Sequence, residues 1–262
     1  TGPYCDLVGH DLTYTSYGGA IGATGLKGGP PAIPVLQISD LQSAVHAAVA
    51  ITAALYGREK TGKGEFIDIS LMDAAVASMI MPLSFYFAGM PTERGRLHLS
   101  GAAPFYNVYE TADRRFIAIA PLEEKFWIEL CKTLGLEEYE DQQLAGPEKS
   151  EEIRKALATA FCQRNRDDWV RILKQRSIPC APVYDINEVP VDLHVKARNM
   201  IVDIETQTYG KLHQLATPIK MPDNPLTMRL PPPRLGEHTL QILQEVGYST
   251  GDAERLSAIG AI

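Results

Sequence analysis

What this 262-residue sequence has little of narrows its function before any motif is read. It lacks a basic surplus, since 25 Lys and Arg stand against 32 Asp and Glu for a formal charge of -7. A nucleic-acid backbone is held by a basic surface, so nucleic acid is excluded as the main partner, although a local basic cluster can still grip a small phosphorylated ligand. It has only four cysteines, Cys5, Cys131, Cys162 and Cys180, with no CxxC pair and no metal-ligand spacing. Reduced, scattered thiols in a reducing compartment, and no metal site, are the expectation. It also lacks a long hydrophobic run. The longest, AVHAAVAITAALY at residues 44–56, carries His46 and falls short of the ~20 residues that span a bilayer. That run reads as a buried helix, and no membrane partner is expected. The chain opens TGPYCDLVGHDL, with neither an initiator methionine nor a signal-peptide pattern, and the expected address is the cytoplasm, or an organelle matrix in a eukaryote.

What is present is ordinary in bulk and informative in order. Hydrophobic residues at 45% and charged residues at 22% fit a folded globular chain. A glycine- and proline-rich loop, GGAIGATGLKGGPPAIP, leads through QISD into an apolar helix expected from about Asp40 to Gly57. After the polar turn REKTGKGE, the run EFIDISL alternates like a half-buried strand, and MDAAVASMIMPLSFYFAG reads as a second buried helix with Pro82 inside it. This helix, strand, helix rhythm belongs to an α/β layer. PTERGRLH then marks a linker. PFYNVYET and RRFIAIAP, joined by ADRR, read as a hairpin, and LEEKFWIELCKTLGL, SEEIRKALATAFCQR and RDDWVRILKQR have helical spacing, giving a small α+β unit. CAPVYDINEV is expected to be a strand entering a helix capped by Asp185. Two weaker strands flank TYGK, and PDNPLTMRLPPP crosses to a last helix in GEHTLQILQEVGY.

Three acid–base residues stand out. His10, in GHDLTYTSYGG, lies beside an aspartate among glycines that let a ligand approach the backbone. Asp40, at the head of the apolar helix, fits an ordinary N-cap. It fits equally a group at a helix end whose N–H dipoles favour an anionic intermediate. His46 is six residues further on, off the face of Asp40, and is expected in the core. Glu123, between a strand and a helix, competes with its neighbour Glu124 for any role. Arg58, Lys60 and Lys63 are candidates to hold phosphates, against the alternative of a solvated turn; TGKGE lacks the spacing of a P-loop.

TGPY, GHDLTY, the GPP loop before Asp40, REKTGKGEFIDISLMDA, SGAAPFYNVYETAD, RFIAIAPLEEKFW and PRLGEHTLQILQEVGY, in that order, resemble the family III CoA-transferases, the CaiB/BaiF family. The likeness is strongest to the racemase members. It implies an α/β fold with a partial Rossmann-like large domain, a small α+β domain and interlocked-dimer architecture. The implied boundaries are 1–90 for the large domain, its N-terminal portion absent, 91–104 for a linker, 105–190 for the small domain and 191–262 for the return segment with its C-terminal helix. By the same resemblance His10, Asp40 and Glu123 are the catalytic residues of an enzyme that racemises 2-methyl-branched acyl-CoA by 1,1-proton transfer. Arg58, Lys60 and Lys63 would bind CoA, with no cofactor beyond the CoA of the substrate and a homodimer as the assembly. Transferase members, which generally lack the histidine, use the aspartate at the position of Asp40 as a nucleophile, and CoA transfer between carboxylic acids is the alternative. A third reading is an inactive fragment or interaction module. Leu41, Gln42 and Ser43 depart from the glycine-rich stretch that often follows the family's aspartate.

Overall fold

The computed structural model describes residues 2–206, 209–225 and 230–262. Thr1 of the TGPY motif, residues 207–208 of the strand pair around TYGK and residues 226–229 of the proline-dense crossing lie outside the described residues. The chain divides into two compact units, Thr1–Val183 and Tyr184–Ile262.

The first unit opens with helices α1 (Asp11–Tyr17), α2 (Ala20–Ala23), α3 (Ile38–Thr61), α4 (Leu71–Ser78) and α5 (Ile80–Phe87). Gly18 lets α1 and α4 meet: a Cβ there would stand 2.7 Å from the Ala75 Cβ, and both residues are buried. The α4–α5 break falls at Met79, where the Pro82 ring would clash with the carbonyl of Ser78 in a continuous helix, so the single helix expected here is two. EFIDISL is not a strand. Among the described residues no strand lies beside it to complete a ladder, and Phe66 is 93% exposed.

Helix α3 also departs from expectation. It runs 24 residues and is exposed over most of its length, with Val45, Val49, Ile51, Leu55 and Tyr56 all open and His46 at the surface, its Nδ1 2.7 Å from the Gln42 carbonyl. The reason is geometric. Within the unit α1 and α4 pack on α3, and short helices cover only a stripe of it. By length and composition alone α3 is sufficient to cross a membrane, as the core helices of many soluble proteins also are.

The rest of the first unit is a three-stranded antiparallel sheet covered by helices. Strands β1 (Asn107–Glu110) and β2 (Phe116–Ile119) form the expected hairpin, and β3 (Cys180–Val183) joins the far edge of β2. The hairpin turns on Arg114, in the left-handed region at φ 58, while the Thr111 hydroxyl donates to Asp113 Oδ1 at 2.6 Å. Helices α6 (Glu124–Leu134), α7 (Pro147–Phe161) and α8 (Arg166–Gln175) follow the predicted periodicity. Their buried faces meet Ile117 and Ile119, with Tyr109 stacked on Phe161 at 5.2 Å and Trp169 edge-on to it at 5.6 Å. The indoles of Trp127 and Trp169 donate to the carbonyls of Tyr139 and Phe161, so no polar price attends their burial. All four cysteines are free, and burial pushes the Cys131 thiol up to about 12.

In the second unit α9 (Leu193–Ala197) is capped by Asp192, whose Oδ1 accepts from the N–H of His194 and Val195. The expected cap, Asp185, instead donates its N–H to Glu188 Oε2 in a turn. Strands β4 (Ile201–Thr206) and β5 (Gly210–Leu215) pair antiparallel, with Asp203 bound to Lys211 and His213. Helix α10 (Thr239–Glu245) is the last helix expected, and α11 (Thr250–Ala258) adds one more behind the Ser249–Asp252 capping box.

Candidate active site

Gly9 is where the site begins. A Cβ on it would stand 2.6 Å from Thr13 Oγ1 and 2.8 Å from the Tyr14 ring, so glycine alone lets that ring fold back over the turn. His10 is the N-cap of α1, in an extended conformation. The Thr13 hydroxyl accepts the His10 N–H at 3.0 Å and donates to the His10 carbonyl at 2.7 Å. The backbone is thereby locked, while the imidazole stays exposed.

Asp40 is not a cap. Gln37 is the N-cap of α3, and Asp40 is the third residue inside, where a carboxylate still complements the helix dipole. Its carboxylate is exposed, with no protein partner among the described residues. His10, Tyr14, Gln37 and Asp40, with Ile33, Pro34 and Leu71, line one cleft of about 460 Å³. The two acid–base side chains chosen from the sequence thus share a cavity, one from the head of α1 and one from the head of α3.

Asp11, whose carboxylate ties the head of α1 to the head of α3, is not among the sequence candidates. Its Oδ1 accepts from the Ser39 N–H at 2.8 Å and the Ser39 hydroxyl at 2.7 Å, and more distantly from the Asp40 N–H and the Thr15 hydroxyl, each at 3.3 Å. Ser39 and Thr15 are fully buried. Partial burial raises the Asp11 carboxyl, but these hydrogen bonds outweigh it and hold the group below the usual carboxylate range. The first-turn N–H groups expected to serve an anionic intermediate are therefore already occupied by an internal carboxylate, and the N–H of Leu41 goes to the Gln37 carbonyl.

The remaining predicted residues lie elsewhere. Glu123 is the exposed N-cap residue of α6 and does not line the cleft. Arg58 and Lys60 are in the last turn of α3, Lys60 with its Nζ 4.4 Å from the Tyr56 ring, and Lys63 follows Gly62, which ends the helix at φ 71. At 1.5 Å per residue they sit about 27 Å or more along the axis from Asp40. A larger cavity, about 1340 Å³, lies over the sheet beside Leu99, Phe105 and Val108. The Arg154 guanidinium on its wall donates to the carbonyls of Gly101 and Ala102 and pairs with Glu151. None of the predicted acid–base residues reaches it.

The family model described as CoA-transferase family III matches residues 1–239. Human alpha-methylacyl-CoA racemase is 30% identical over 260 residues, 98% of this chain and 67% of its own length. Succinate–glutarate CoA-transferase of Agrobacterium fabrum is 30% identical over 253 residues, covering 94% of this chain and 62% of that protein. Among solved structures, a CAIB/BAIF family protein from Brucella suis superposes with a TM-score of 0.77 at 26% identity, over 94% of this chain and 65% of that one. The chain therefore spans 62% to 67% of the length of these proteins.

Proposed function

The chain belongs to CoA-transferase family III, and on that premise we propose that it moves a proton at the carbon α to the carbonyl of an acyl-CoA thioester, inverting 2-methyl-branched acyl groups. Such a proton is weakly acidic, and its removal requires a positioned base. Inversion requires a second group on the opposite face to return a proton. One of the pair takes the α-proton as the C–H electrons move into the enolate; the other, protonated, delivers its proton to the other face. His10 and Asp40 are assigned these roles, in either order according to the enantiomer. One observation carries the reading: both side chains are exposed and line the same cleft.

A second reading is favoured by the open Asp40 carboxylate itself. It can attack a thioester carbonyl, releasing CoA thiolate and forming a mixed anhydride, the first step of CoA transfer between acids. The two readings part on His10. Racemisation of a 2-methylacyl-CoA, with α-deuterium uptake from heavy water and no acceptor acid, is expected; His10→Ala abolishes the racemisation and leaves uptake into one enantiomer only. Transfer predicts instead that hydroxylamine traps Asp40, that an acceptor acid is required and that His10→Ala stays active.

Arg58, Lys60 and Lys63 are assigned to the CoA phosphates, which obliges the ligand to run along α3. The assignment places no step on Glu123. No cofactor beyond CoA is assigned, and the assembly is proposed to be a homodimer in which the open apolar side chains of α3 are covered.

A further inference from the structure

We propose that Asp11 is a positioning residue of this site, one carboxylate oxygen tying the turn that carries His10 to the turn that carries Asp40 and so fixing the gap that a reacting carbon must occupy. The inference deepens the proton-transfer reading and rests on it. His10 caps α1 and Asp11 is its first helical residue, so any movement of Asp11 carries His10 with it. Ser39 and Asp40 are successive residues of the first turn of α3, and both aim their N–H groups at Asp11 Oδ1. Ser39 is 28 positions beyond Asp11, and the stretch between them includes the glycine-rich loop, which by itself specifies no separation between the two helix heads.

Two features make this link more than a surface hydrogen bond. The Ser39 hydroxyl, fully buried, reaches the same oxygen at 2.7 Å and otherwise only the Asp11 carbonyl at 3.4 Å among the described residues, so loss of the carboxylate leaves a buried donor with a long, weak bond. Asp11 also stands at a helix N-terminus, where a carboxylate neutralises unsatisfied N–H groups and strengthens its hydrogen bonds through its charge. Misplacement by about 1 Å between reacting groups costs about 100-fold in rate. The expected signature is therefore a loss in kcat with KM for the acyl-CoA unchanged.

The test compares wild type with Asp11→Ala, Asp11→Asn and Ser39→Ala in the full protein, reading racemisation kinetics together with amide hydrogen exchange at Ser39 and Asp40. Asp11→Asn keeps an acceptor oxygen in place and separates position from charge. The expected result is that Asp11→Ala exposes both amides and lowers kcat about 100-fold at constant KM, with Ser39→Ala intermediate and Asp11→Asn recovering most of the rate. Unchanged amide protection in Asp11→Ala, or exposed amides with kcat within twofold of wild type, overturns the proposal. If the wild type does not racemise, the proton-transfer reading fails on its own. The same variants are then read by CoA transfer to an acceptor acid, where an undiminished Asp11→Ala overturns the positioning role and a kcat loss supports its Asp40 half.

Discussion

At the level of single residues the candidate site is built by what surrounds His10 and Asp40. Gly9 is the clearest case. Adding its Cβ forces the Tyr14 ring or the Thr13 hydroxyl away, and overpacking of this kind costs ~1–3 kcal/mol. Gly9→Ala is expected to lower the melting temperature modestly and to reduce racemisation disproportionately, because the displaced atoms hold His10; calorimetry beside kinetics checks this. The Asp11 link also has a pH signature. Its folded pKa lies below the ordinary carboxylate value of ~3.9, so its contribution is fully present above that value and is lost as pH falls through the lowered one. Acid titration by NMR is expected to show Asp11 protonating late, with the Ser39 and Asp40 amides losing protection together. His10 and Asp40 stand out in the sequence as candidates because acid–base residues beside glycines or at a helix head carry a chemical reason locally, and the family resemblance supplies the roles proposed for them. Asp11 does not stand out, because its partners are 28 and 29 residues away and no local pattern encodes that pairing.

Among the elements, those with their own periodicity were read correctly and those that depend on neighbours were not. The β1–β2 hairpin and helices α6 to α8 bury alternating or helical stripes against one another inside this chain, so pattern and partner coincide. Trp127→Ala, at the centre of that core, is expected to cost about 3–5 kcal/mol in denaturant unfolding and to leave a chain that no longer melts cooperatively near the wild-type temperature. EFIDISL has the alternation of a strand without the partner, and α3 has the composition of a core helix without the covering layer. Helix α11 carries its own local signal, the S-x-x-D capping box of Ser249 and Asp252. Helix α3 also carries a prediction of function. With Asp40 at its head and Arg58 and Lys60 at its tail, the double variant Arg58→Ala, Lys60→Ala is expected to raise KM for acyl-CoA about tenfold at constant kcat. An effect on kcat alone would remove these cations from the phosphate role.

For the whole molecule, the apolar side chains left open on α3 set the terms. Val45, Val49, Ile51 and Leu55 exposed together on one long helix form the kind of surface that another chain covers. Sedimentation is expected to give twice the chain mass, and polar replacement of Val49 and Leu55 to give monomers; a wild-type monomer that partitions onto lipid vesicles would overturn the dimer. The mixed α/β class and the family kinship were legible because seven motifs recur in order along the chain, whereas burial of α3 was misjudged because composition reports what a helix avoids, not what stands beside it. The central claim is that His10 and Asp40 address opposite faces of one carbon, and enantiomer-resolved α-deuterium exchange tests it most directly. Wild type should exchange both enantiomers of a 2-methylacyl-CoA, with His10→Ala sparing one and Asp40→Asn sparing the other; if both variants lose the same enantiomer, or neither loses any, the account is contradicted.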